Sequence, residues 1–150
     1  MPSSPSPKSQ IPDPTFTIYS DGGARGNPGP AAAAFVVFDS NHHHLYTGGE
    51  FLGVATNNVA EYQGVLLALQ YLTSVIRNQS SVINFNLDSK LVCEQLSGNY
   101  KIKEPHLISL AQSIFTLIRS QSWPVTFRSI PRSQNSQADA EVNRILNTHP

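Results

Sequence analysis

The sequence predicts an α/β domain built on a mixed sheet, and two observations carry that expectation. Segments that read as strands, most with alternating apolar and polar residues, occur five times, and segments with apolar residues at helical spacing occur four times. Their order is three strands, a helix, a strand, two helices, a strand and a helix. Strands joined by short turns pair antiparallel, and strands separated by a helix pair in parallel, so one sheet with both kinds of pairing is expected.

Residues 15–20 alternate with a period of two and run into Asp21, Gly22 and Gly23, a strand ended by a glycine-rich turn. Residues 31–38 and 45–52 are the next two strands, joined through Asp39, Ser40 and Asn41 as a meander, with the run His42, His43, His44 at the join. From Asn58 to Ile76 the residues Val65, Ala68, Leu69, Leu72 and Ile76 recur at helical spacing, with an asparagine at the start. Ile83, Phe85 and Leu87 alternate with Asn84, Asn86 and Asp88 in a fourth strand over 81–88. A short helix over 89–96 closes at Gly98, and Pro105 opens another to about Ser120, since proline suits a first helical turn. Residues 125–130 form the fifth strand, and Ala138, Val142, Ile145 and Leu146 mark one face of a last helix over 136–147.

A chain of 150 residues suits one domain with a real core. Five prolines and four serines among the first 14 residues leave nothing to bury, so residues 1–14 are expected to be a disordered tail and 15–150 the folded domain. No apolar run resembles a signal-peptide core or reaches the ~18 residues of a membrane span, so a soluble, cytoplasmic monomer is expected. Cys93 is the sole cysteine, which excludes an internal disulfide and a multi-cysteine zinc site. Ten basic residues balance ten acidic ones, at first sight a poor match for a polyanion. If four of the carboxylates hold cations, six acidic residues remain against ten basic ones, and the loaded surface is modestly basic.

The four in question are Asp21, Glu61, Asp88 and Asp139. Asp21 and Asp88 end predicted strands, at the sheet edge where open α/β folds bind ligands; aspartate also favours strand-ending turns for local reasons. Glu61 precedes Val65, Ala68, Leu69 and Leu72 by four, seven, eight and eleven positions, which aligns it with the buried stripe. A capping box with Asn58 explains its residue type but not that alignment. Asp139 lies in the first turn of the last helix, where the helix dipole favours a carboxylate whatever its function. Together the four supply the hard oxygen ligands that a hydrolase using two Mg²⁺ or Mn²⁺ ions needs, whereas thiolates and imidazoles are too few for zinc.

Four motifs make the chain resemble the type 1 ribonuclease H family from Thr15 to Asn147: Tyr19-Ser-Asp-Gly-Gly-Ala-Arg-Gly-Asn-Pro-Gly29, Thr56-Asn-Asn-Val-Ala-Glu-Tyr62, Leu87-Asp-Ser-Lys-Leu-Val92 and Ile130-Pro-Arg-Ser-Gln-Asn-Ser-Gln-Ala-Asp139. The resemblance implies a ribonuclease H-like fold, a five-stranded sheet of three antiparallel and two parallel strands flanked by helices. It implies cleavage of the RNA strand of RNA/DNA hybrids with two Mg²⁺ ions, Mn²⁺ being able to substitute, and 5′-phosphate and 3′-hydroxyl products. Asp21, Glu61, Asp88 and Asp139 fall on the family's metal ligands. Asn27, Asn57 and Asn58 fall on hybrid-contacting positions, and Lys90, within the third motif, is a further candidate substrate contact. An amide can both donate to and accept from a 2′-hydroxyl, although turn formation and helix capping account equally for asparagines here.

The sequence departs from the family in two places. Many members carry a histidine ten residues before the last aspartate, where this chain has Ser129, which cannot be protonated near neutral pH. Arg132 is the candidate to reach the scissile phosphate in its stead, and its presence without the histidine admits double-stranded RNA as an alternative substrate. Residues 97–104 are short where some relatives carry a basic helix and loop, leaving Lys101 and Lys103, so weak, salt-sensitive binding is expected. A non-catalytic nucleic-acid-binding module is the remaining alternative. Three consecutive histidines point to alternating faces and cannot share one ion. Trp123 is assigned to packing, and Tyr100, near Lys101 and Lys103, is a better candidate than Trp123 for nucleic-acid contact.

Overall fold

A computed structural model of the chain describes residues 13–76 and 80–150, so the expected tail falls outside the described residues except for Asp13 and Pro14. The elements in order are β1 (Thr15–Ala24), β2 (Gly29–Phe38), β3 (His44–Ala55), α1 (Asn57–Val75), β4 (Val82–Leu87), α2 (Lys90–Leu96), α3 (Pro105–Gln121), β5 (Val125–Ser129), a 3₁₀ turn (Arg132–Gln134) and α4 (Ser136–Thr148). They form one five-stranded sheet of order β3-β2-β1-β4-β5, in which β1, β2 and β3 pair antiparallel and β1, β4 and β5 pair in parallel. Every expected element is present and the mixed pairing is as expected.

Two layers cover the sheet. On one face α1, α2 and α3 enclose the main core around Ile18, Tyr62, Leu69, Phe85 and Ile114. On the other, α4 lays Val142, Ile145 and Leu146 over Ala32, Ala34 and Phe51. The strand β2 runs between these layers, and its alanines 31 to 34 are fully buried because only small side chains let helices approach both faces. Trp123 is buried, as its assignment to packing requires.

Two local expectations are corrected. The first concerns Gly22 and Gly23, which do not turn the chain but continue β1, opposite Ala33 and Ala32 of β2. A Cβ on Gly22 would lie 2.2 Å from the carbonyl carbon of Ala60, so glycine is needed here for the close approach of α1 to the strand. The second concerns the start of α1. Thr56 rather than Asn58 is its N-cap, with the Thr56 hydroxyl accepting from Val59 N at 3.2 Å, so no capping box explains Glu61.

The catalytically suggestive edge arises from unequal strand lengths. β1 pairs with β4 only as far as Tyr19 opposite Asn86, while β1 continues along β2 to Ala24. Above that point β1 and β4 have no ladder between them, and Asp21 and Asp88 stand on either side of the gap.

Candidate active site

Asp21 is held by β1, Asp88 follows β4 directly, Glu61 comes from the second turn of α1 and Asp139 from the first turn of α4. All four line one open cleft of about 480 Å³, together with Gly22, Asn57, Asn58, Ser89 and Arg132. Carboxylate oxygens of Asp21, Glu61 and Asp88 lie within 4.8 Å of one another, the one cluster among the described residues with metal-holding geometry. Asp139 stands on the cleft wall, outside that tight trio, and near enough to act on Asp21 through its charge.

Glu61 sits on the buried stripe that its spacing predicts. Its Oε1 accepts from Gly22 N, which locks α1 to β1, and its Oε2 is buried without a hydrogen-bond partner. A buried carboxylate oxygen left unpaired is costly unless a cation or proton meets it. The Asp21 carboxyl is pushed up to about 6 from an ordinary 3.8, chiefly by burial and further by the charges of Asp88 and Asp139. Glu61 is raised well above its ordinary value, again first by burial and then by the Asp21 charge. Crowded, partly desolvated hard oxygens, one of them orphaned, are the donor set that suits Mg²⁺ or Mn²⁺.

Asn135 is a site residue that the sequence reading did not single out. It is 1% exposed, and its Nδ2 donates to Ser20 O at 2.9 Å and to Asp88 Oδ2 at 3.1 Å. It precedes α4 without capping it, and instead ties the end of β1 to the Asp88 carboxylate. An asparagine just ahead of a helix reads as a cap, so its type alone conceals this task.

The expected substrate-contacting asparagines have local duties as well. Asn57 Oδ1 accepts from Ala24 N at 2.9 Å and Asn27 Oδ1 accepts from Asn57 N at 3.0 Å, a clasp between the β1–β2 turn and α1. Both carbonyl oxygens are engaged, and the two NH₂ groups have no protein acceptor among the described residues. Asn57 and Asn58 line the cleft; Asn27 stands behind Asn57, and Lys90 is exposed on the first turn of α2 outside the cleft wall. Arg132 does reach the cleft, from the 3₁₀ turn. Ser129 ends β5, opposite Leu87 and exposed. The histidine run converges on nothing: His43 faces Asp39 at 3.6 Å and His44 Nε2 lies 2.7 Å from Thr47 Oγ1.

Comparison with known proteins adds a lineage to this geometry. A family model described as reverse transcriptase-like matches residues 19–145. The bifunctional protein Rv2228c of Mycobacterium tuberculosis is 39% identical over 127 residues, 84% of this chain and 34% of that protein. Ribonuclease HI of Halobacterium salinarum is 35% identical over 129 residues, 85% of this chain and 62% of that protein. The chain thus spans about a third of the mycobacterial relative's length. Among solved structures, LC11-RNase H1 in complex with an RNA/DNA hybrid superposes with a TM-score of 0.80 at 36% identity, covering 86% of this chain and 94% of that one. With this match over nearly the whole described domain and the same fold, the chain belongs to the reverse transcriptase-like family, among the type 1 ribonucleases H.

Proposed function

We propose that this protein is a ribonuclease H that hydrolyses the RNA strand of RNA/DNA hybrids. The observation that carries the reading is the convergence of Asp21, Glu61, Asp88 and Asp139 on one cleft, with Glu61 Oε2 buried and unpaired. The hybrid bound by LC11-RNase H1 supports the choice of substrate. Two bound Mg²⁺ or Mn²⁺ ions, held by the four carboxylates, would supply Lewis-acid charge to a phosphodiester hydrolysis leaving 5′-phosphate and 3′-hydroxyl ends.

The chain's own residues do the positioning. Gly22 N and Asn135 Nδ2 fix Glu61 and Asp88, so the carboxylates are aimed before substrate arrives. The Arg132 guanidinium offers paired donors to a phosphate from the cleft wall. Asn57, Asn58 and, behind them, Asn27 present amide groups to the minor groove, where a 2′-hydroxyl distinguishes RNA from DNA. Ser129 supplies no titratable group at neutral pH, so proton transfer at the leaving end falls to solvent and turnover is slower than in relatives with an imidazole there. Lys90, on the exposed first turn of α2 beside the cleft, contributes at most a backbone phosphate contact.

The test is digestion of a labelled hybrid with Mg²⁺, Mn²⁺ or chelator, beside double-stranded RNA in the same salt. Cleavage of the hybrid only with metal, abolished by Asp21→Asn and by Asp88→Asn, is expected. Intact activity in both variants would sink the metal assignment, and preferential cleavage of the RNA duplex would move the substrate to double-stranded RNA. Failure to bind metal in a titration would leave a non-catalytic binding module.

A further inference from the structure

The sheet face that carries α4 is covered over β2, β3 and the end of β1, and is open over β4, β5 and the rest of β1. Strand register builds that open area in two cross-strand rows. Thr17, Asn84 and Thr126 form one row, and Tyr19, Asn86 and Arg128 form the next, directly below Asp21 and Asp88. A cavity of about 380 Å³ lies on these rows and a second of about 260 Å³ lies beside Tyr19, against Phe38 and the start of α4; Tyr19 and His42 line both, so they are halves of one groove. Its upper end reaches Gln134, in the turn whose Arg132 lines the carboxylate cleft, and Asn135 just after it.

The chemistry of the groove is the reverse of the cleft's. No carboxylate lines either cavity. Thr126 Oγ1 donates to Asn84 Oδ1 at 2.7 Å and Arg128 Nε donates to Asn86 Oδ1 at 3.1 Å, so the acceptors of both amides are satisfied from within. The Asn84 NH₂ and the terminal amino groups of Arg128 then have no protein acceptor among the described residues, and Arg128 is exposed. Tyr19, its ring edge-on to Phe38 at 5.8 Å, supplies an aromatic wall. The complementary ligand is anionic, rich in acceptors and flat-faced. Three strands at ~4.8 Å spacing make a floor only about 10 Å wide, room for a single strand and too narrow for a duplex.

We propose that this groove binds single-stranded RNA leaving the carboxylate cleft past the Arg132–Gln134 turn, an inference that rests on the cleft's reading as a ribonuclease. Arg128 takes a phosphate, Asn84 hydrogen-bonds a base or a 2′-hydroxyl, and Tyr19 stacks a base. One fixed guanidinium makes the binding weak and salt-sensitive.

The experiment is an amide NMR titration of the full chain, in chelator, with a short oligouridine and separately with a blunt hybrid. Oligouridine is expected to shift the amides of Tyr19, Asn84 and Arg128, and Arg128→Glu or Thr126→Glu, both at exposed positions, to weaken it by at least about fivefold. Tyr19→Leu, if it folds, should do the same. Shifts confined to Asp21, Asn57 and Asp88, or affinity in both Glu variants equal to the parent's, overturn the proposal. Because the titration involves no cleavage, groove binding by a chain that cuts no hybrid would overturn the ribonuclease reading alone, and cutting without groove binding would overturn the groove alone.

Discussion

Replacing Asp21 with asparagine should abolish cleavage and yet stabilise the metal-free fold. Asp21 is 7% exposed among three other carboxylates, and its carboxyl is raised from 3.8 to about 6 by burial first and by Asp88 and Asp139 next. At 1.36 kcal/mol per unit, that difference places about 2–3 kcal/mol of penalty on the ionised native state. The native state binds this proton more tightly than the unfolded chain does, so stability falls as pH rises from about 4 to about 6 and the penalty is complete above that. Asn keeps the shape and removes the charge, which also relieves Glu61, whose second-largest upward push is the Asp21 charge. Thermal unfolding in chelator at about pH 7.5 should show the variant melting roughly 5–10 °C above the parent, given about 2–4 °C per kcal/mol for a chain of this size. The gain should vanish below about pH 4, and Mg²⁺ should close the gap at neutral pH by stabilising the parent alone. A variant less stable than the parent in chelator at neutral pH, or a gain unchanged at acid pH, would refute the electrostatic account.

Further outcomes follow from named contacts. Gly22→Ala drives a methyl into the Ala60 backbone and should cost about 3 kcal/mol or more by denaturant unfolding along with most activity; a near-neutral result would mean that α1 can move off β1. Asn135→Ala removes the donor to Ser20 O and Asp88, so stability should fall by about 1–3 kcal/mol and the Mg²⁺ concentration for half-maximal activity should rise; an unchanged metal titration would reduce Asn135 to a packing residue. Gln95→Leu strands the buried Tyr62 hydroxyl, now 2.6 Å from Gln95 Oε1, at about 1–3 kcal/mol, and adding Tyr62→Phe should recover most of that loss; additive losses in the double variant would contradict this pairing. Arg132→Ala should lower kcat/KM on hybrid about 10–100-fold with little change in melting temperature, and a change under twofold would return Arg132 to ordinary surface duty.

Periodicity in the sequence was enough to place the strands and helices to within a few residues, to put Asp21 and Asp88 at strand ends and to put Glu61 on the buried face of its helix, while Asp139 came chiefly from the family resemblance. These features are local, since whether a segment alternates every two residues or every three to four depends on which of its own faces is buried. What only the tertiary structure decided is whatever depends on partners far apart in the chain. Asn135 meets Ser20 and Asp88 across 115 and 47 residues, and nothing in its own neighbourhood announces either contact. Gly22 reads as a turn until α1 is seen lying against it, and Thr56 takes the cap because the chain leaves β3 only one residue earlier. The cleft itself exists because β1 outruns β4, a relation between two strands that neither strand's pattern contains. Sequence therefore names the four carboxylates, and the pairing of the strands puts them together.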